Sequence, residues 1–158
     1  MHMNYAENLL YSRVPGAPSS QRGKKGKEDS KIAITEVREG ATEIRDVTWG
    51  QLRAEAGQLA AAMKAHGVGK GDRVVVVASN SLDTLKVFLA CTWLGGLFSS
   101  SSTDMGVKGV LQRALQVTPK VINAPSWNPN SHKVLCKDST NENSLCSWTT
   151  SRFTMGRE

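Results

Sequence analysis

Apolar positions along the chain change period several times, and each change marks an element. The clearest starts at Thr48, after which Leu52, Ala56, Leu59, Ala60 and Met63 recur at helical spacing and form one apolar face. Thr48 followed three residues later by Gln51 makes a capping box, in which each side chain satisfies a free backbone N–H at the helix start. Val47 and Leu52 stand where a hydrophobic staple belongs, and Gly67 suits the left-handed conformation that ends a helix. The spacing predicts a helix from Trp49 to His66. Gly71-Asp72 then punctuates the chain, and Arg73–Ala78 reads as an almost unbroken valine run. Such a run suits a strand buried on both faces of a parallel sheet.

The pattern then repeats. Asn80 or Ser81 is placed to cap a second helix with Leu82, Leu85, Phe88, Leu89 and Thr92 on its inner face, ended by Gly95-Gly96. Leu97–Ser100 predicts a short strand. Asp104 is placed to cap a third helix whose inner stripe is Val107, Val110, Leu111, Ala114 and Leu115, stopped by Pro119, and Val121–Ala124 predicts another strand. Helix and strand thus alternate from Thr48 to Ala124, which implies an α/β fold with a partial parallel sheet and right-handed helical crossovers. Upstream, Asn4–Ser12 predicts a short helix carrying Tyr5, Leu9 and Leu10. Lys31–Glu39 and Thr42–Val47 predict a hairpin that turns at Gly40-Ala41, with Ile32, Ile34 and Glu36 sharing one side. After Pro125 the period is lost. Ser, Thr and Asn fill twelve of the twenty-five positions from Ser126 to Thr150, a composition that predicts an irregular tail. Three segments result: an N-terminal extension and basic loop (1–30), the α/β unit with its hairpin (31–124), and a divergent, disordered tail (125–158).

Composition narrows the function. Apolar residues make up 39% and aromatics 6%, so the core is built from aliphatic side chains. The formal charge of +6 invites a nucleic-acid reading, but the densest basic patch, Arg22, Lys24, Lys25 and Lys27, lies in a Gly-, Pro- and Ser-rich stretch without interleaved aromatics. That run reads as a solvated loop, and no nucleic-acid partner is expected. Cys91, Cys136 and Cys146 have neither disulfide-framework nor metal-ligand spacing, and His2, His66 and His132 are far apart. These features fit a reducing, cytoplasmic compartment. The first residues carry no secretory pattern, and no stretch reaches the ~18 apolar residues of a membrane span.

Two motifs tempt. Gly67-Val68-Gly69-Lys70-Gly71 looks like a phosphate loop, but its glycines follow a helix and precede a strand, the reverse of a dinucleotide fingerprint. Gly71 also stands where a P-loop needs Ser or Thr. The run Ser99–Thr103 lacks the glycine-flanked elbow and the histidine partner of a hydrolase serine, and it reads as a polar strand end. His66 suits a helix end, where a protonated imidazole meets the free carbonyls. Asp72 and Asp83 read as turn and helix-start residues, with nothing pairing them as acid and base.

The order of these segments resembles the adenylate-forming, AMP-dependent synthetase/ligase superfamily. Thr48-Trp49-Gly50-Gln51-Leu52 is similar to its Thr-(Tyr/Trp)-x-Glu-Leu segment, with Gln51 in place of the usual Glu. Gly67-Val68-Gly69-Lys70-Gly71-Asp72-Arg73-Val74 resembles its Gly-(Ile/Val)-x-x-Gly-Asp-Arg-Val stretch. Leu89-Ala90-Cys91-Thr92-Trp93-Leu94-Gly95-Gly96 resembles a segment that ends Gly-Ala, with Gly96 replacing the Ala. Leu82–Trp93 with Ser99–Asp104 and Gly106–Arg113 look most like the acetoacetate–CoA ligase branch. Asn4–Leu10 resembles the N-terminal extension of acetyl- and acetoacetyl-CoA synthetases.

The resemblance covers Asn4 to Ala124 and implies the N-terminal portion of the family's large domain. It also implies a two-step reaction in the full-length family: ATP and a carboxylate give an acyl-adenylate and pyrophosphate, and CoA then displaces AMP. The family's phosphate loop, its magnesium-holding Thr-Glu motif, its ribose-binding aspartate and its late catalytic lysine have no match here. No catalytic, cofactor-binding or metal residue is therefore assigned, and ATP, magnesium and CoA are expected only for the full-length family. The expected function is a ligase fragment inactive by itself. The alternative is an interaction module that binds a protein partner through an incomplete sheet.

Overall fold

The computed structural model describes residues 4–18, 21–37, 39–125, 131–137, 143–149 and 152–154. Helix α1 (Tyr5–Leu10) starts at Asn4, whose side chain accepts from the Glu7 N–H, and buries Ala6 and Leu10. Asn4 Nδ2 also donates to the Trp93 carbonyl at 2.9 Å. Two short strands follow, β1 (Ser12–Arg13) and β2 (Arg22–Gly23), paired antiparallel. The expected hairpin is present as β3 (Ile32–Val37) and β4 (Ile44–Thr48), antiparallel across a turn in which Gly40 has φ +79°. Its faces differ from the period-two reading. A register shift between Ile32 and Ile34 breaks the alternation, leaving Ile32 exposed while Ile34 packs inward.

Helix α2 (Trp49–Ala65) has both capping-box bonds: Thr48 N–H donates to Gln51 Oε1 at 3.0 Å, and Gln51 N–H donates to Thr48 Oγ1 at 3.3 Å. It ends at His66 with Gly67 left-handed, Val68 N–H reaching the Met63 carbonyl and Gly67 N–H that of Lys64, the double bond of a Schellman cap. Strand β5 (Arg73–Val77) leads to α3 (Leu82–Trp93), capped by Ser81. Glu36 Oε1 accepts from Leu82 N–H at 2.9 Å, which ties the hairpin to the start of α3. The inner arc of α3 is wider than predicted and includes Lys86, buried between Glu55 at 2.6 Å and Asp83 at 3.0 Å.

Strand β6 (Leu97–Ser101) and a 3-10 turn (Thr103–Met105) precede α4 (Gly106–Val117). Ser102, rather than Asp104, is the capping residue, and it caps the turn; α4 has no side-chain cap. Thr118 ends α4 in the left-handed region, φ +43°, because Pro119 disfavours a helical residue before it.

Strand β7 (Val121–Pro125) completes the predicted parallel unit. The sheet order is β10-β9-β8-β7-β5-β6, with β5 parallel to β6 and to β7. Val75 faces Ser99 on one side and Ile122 on the other. The tail departs from the irregular reading. Strands β8 (Ser131–Lys137), β9 (Asn143–Thr149) and β10 (Arg152–Thr154) continue the sheet antiparallel from β7. Pairing onto β7 supplies backbone hydrogen bonds that composition does not reveal. The disorder expected for 126–130, 138–142, 150–151 and 155–158 lies outside the described residues.

Val74 and Val76 pack with Ala60, Met63, Val87, Ala90 and Cys91 beneath α2 and α3. The chain crosses from β5 to β6 and then back past β5 to β7, and the right-handed rule for parallel crossovers places α3 and α4 on opposite faces. On α4 the predicted inner stripe is covered only in part, with Val110 and Ala114 half-buried. Val107 is 87%, Leu111 56% and Leu115 67% exposed, and no residue of α4 is fully buried. Periodicity locates an apolar arc, but what covers it depends on the surrounding fold.

Candidate functional site

In open α/β sheets, ligands bind beyond the carboxyl ends of the strands, in the crevice where strand order reverses. Here the chain leaves β5 toward β6 and returns to β7 on the other flank, so the crevice lies between the ends of β5 and β7. The loops that rim this edge are Ala78–Ser81 and Ser102–Asp104. Several of their polar groups are engaged within the chain. Ala78 N–H donates to the Ser101 carbonyl at 3.2 Å, Thr84 Oγ1 donates to Ser79 O at 2.9 Å, and Asp104 N–H donates to Ser102 Oγ at 3.3 Å. Ser101 Oγ is a buried hydroxyl with no hydrogen-bond partner among the described residues. The two acids near this edge are engaged as well: Asp83 with Lys86, and Asp104 with Ser102 Oγ at 3.1 Å. Among the described residues no three His, Cys, Asp or Glu side chains cluster as a metal site.

The glycine-rich stretch lies at the opposite, amino edge of the strands and is folded on itself. Gly69 N–H donates to Asp72 Oδ2 at 2.7 Å, Gly71 N–H to the Gly95 carbonyl and Asp72 N–H to the Gly69 carbonyl. Lys120 Nζ adds donors to the Gly67 carbonyl at 2.6 Å and to Asp72 Oδ2 at 3.1 Å. With the N–H groups of Gly67, Val68, Gly69, Gly71 and Asp72 already bonded internally, the segment has no cradle for phosphate. The Gly69 N–H, and after it the Lys120 and Arg73 charges, hold the Asp72 carboxyl below its ordinary value against the opposing effect of burial. The helix-to-strand reading of this motif agrees with the geometry.

The basic loop holds a cluster that its composition concealed. Lys27 turns inward and donates to the carbonyls of Asn8, Leu9 and Tyr11, and Arg53 donates to the carbonyl of Leu10 at 2.8 Å. Two cations thereby satisfy carbonyls at the end of α1 that a helix leaves free. Arg53 also reaches the Lys27 carbonyl at 2.8 Å and Asp29 Oδ1 at 2.6 Å. Burial, reinforced by the Arg53 charge, lowers the Lys27 pKa. Lys24 and Lys25 stay exposed, so only part of the loop is solvated as expected. No local signal separates Lys27 from its neighbours, because its role is set by α1, twenty residues upstream. Burial pushes the Cys91 thiol up to about 11, away from the thiolate that a nucleophilic cysteine uses.

The AMP-binding enzyme family model matches residues 22–153, most of the chain. The chain belongs to the AMP-binding enzyme family. The match begins within the basic loop and runs past Ala124, on both sides of the 31–124 segment that carries the sequence motifs. Acetoacetyl-CoA synthetase of Rattus norvegicus is 42% identical over 120 residues, covering 76% of this chain and 16% of the relative. Malonamoyl-CoA synthetase vrtB of Penicillium aethiopicum is 34% identical over 139 residues, covering 85% of this chain and 18% of the relative. The solved acetoacetyl-CoA synthetase from Streptomyces lividans superposes with a TM-score of 0.65 at 33% identity, over 77% of this chain and 17% of that one. The chain thus spans about a sixth of the length of these relatives, and its fold matches the N-terminal part of adenylate-forming enzymes.

Placed on this fold, the AMP-binding motifs are architectural. Thr48–Leu52 starts α2, and Gln51 keeps the capping bond that the usual Glu would make. Gly67–Val74 closes α2 and opens β5. Leu89–Gly96 ends α3 with a second Schellman cap, Gly96 N–H bonding the Cys91 carbonyl and Gly95 N–H that of Thr92. Of the segments that carry the resemblance, Ser99–Asp104 reaches the carboxyl edge, where Ser101 is buried and Asp104 accepts from Ser102 Oγ.

Proposed function

We propose that this chain represents part of an acetoacetate–CoA ligase, and that by itself it does not catalyse the ligase reaction. The identity to acetoacetyl-CoA synthetases carries the assignment. In the full-length relatives the reaction joins a carboxylate to CoA at the expense of ATP, through an acyl-adenylate, with AMP and pyrophosphate released. The residues present do not fit ATP or magnesium. The Gly67–Gly71 donors are bonded within the chain, and no acidic cluster stands among the described residues. No step of the chemistry is therefore assigned to them. The likeness to acetoacetyl-CoA synthetases supports a role in lipid metabolism, and the scattered cysteines fit a cytoplasmic compartment. The test is acetoacetyl-CoA formation by purified protein supplied with ATP, magnesium, CoA and acetoacetate. None is expected, and turnover that tracks the protein through successive purification steps would refute the reading.

A second reading, an interaction module, is favoured by the exposed apolar residues of α4 and by the outer edge of β6, which is unpaired among the described residues. Co-elution of this chain with full-length acetoacetyl-CoA synthetase would support it, and separate elution at micromolar concentrations would count against it.

A further inference from the structure

We draw no further inference here: the strongest candidate, the apolar surface formed by Val107, Leu111 and Leu115 on α4 together with Leu97 at the β6 sheet edge, is unpartnered among the described residues, and nothing in the structure shows what covers it.

Discussion

Gly96 lies against the sulfur of Cys91: a methyl group added at position 96 would sit 2.9 Å from Cys91 Sγ and 3.2 Å from the carbonyls of Cys91 and Asp72. The family's usual Ala at this place therefore cannot be accommodated while Cys91 keeps its position. Gly96→Ala is expected to cost roughly 1–3 kcal/mol in urea unfolding, the range for overpacking a filled core. In a Cys91→Ala background the same change should cost less, because the thiol is gone although both carbonyls remain. Equal costs in the two backgrounds would show that the sulfur is not the obstacle.

Lys27→Ala should loosen α1 without unfolding the α/β unit. Its ammonium bonds three carbonyls near the end of that helix, and their loss leaves Arg53 as the remaining cation there. Amide exchange at Asn8 and Tyr11, whose N–H groups bond the Asn4 and Glu7 carbonyls, is expected to accelerate several-fold. Exchange at Val74–Val76 should stay unchanged. Unaltered protection at Asn8 and Tyr11 would show that Lys27 does not clamp α1.

Much of this architecture was legible because its determinants are local. The Thr48–Gln51 capping box, the two glycine-ended helices and the valine run each declare an element within a few residues. What could not be read depends on distant chain. Lys27 and Arg53 resemble ordinary surface cations until α1 folds back over them. The α4 stripe predicts an amphipathic helix, yet the exposure of Leu115 follows from what the rest of the fold leaves uncovered. In the tail, His132, Val134 and Cys136 alternate with Lys133, Leu135 and Lys137, a strand pattern too short to stand out in a Ser- and Asn-rich background. The candidate site was least legible, since Ser101 is one of several adjacent serines and its burial depends on the packing around the sheet.

Asp72 should make the protein acid-sensitive. Its folded-state pKa is held below the ordinary 3.8, so the stability it contributes is present above that value and is lost as pH falls through the folded pKa. Asp72→Asn removes this linkage. Urea midpoints measured between pH 5 and pH 3 should therefore fall less steeply for the variant than for the parent. Parallel pH profiles would mean that the Gly69 and Lys120 contacts do not favour the ionised form.

Ser101→Ala tests the orphaned hydroxyl. A buried polar group without a partner destabilises the fold, so replacing it with a methyl group should leave stability unchanged or raise it by up to about 1 kcal/mol. A loss of about 1 kcal/mol or more in urea unfolding would show that the hydroxyl is bonded, by water or by residues outside those described.

This chain carries AMP-binding architecture, and we propose that it lacks the family's chemistry. Removing one preorganised electrostatic contact in an enzyme typically lowers the rate by about 10²–10³, and the resemblance finds none of the family's phosphate, metal, ribose or lysine elements in this sequence. Acetoacetate-dependent exchange of labelled pyrophosphate into ATP measures the adenylation step directly. Exchange is expected to be no faster than in a protein-free control. Exchange above that control, lost in Lys70→Ala or Ser101→Ala, would contradict this and place an active site in one of the two segments read here as structural.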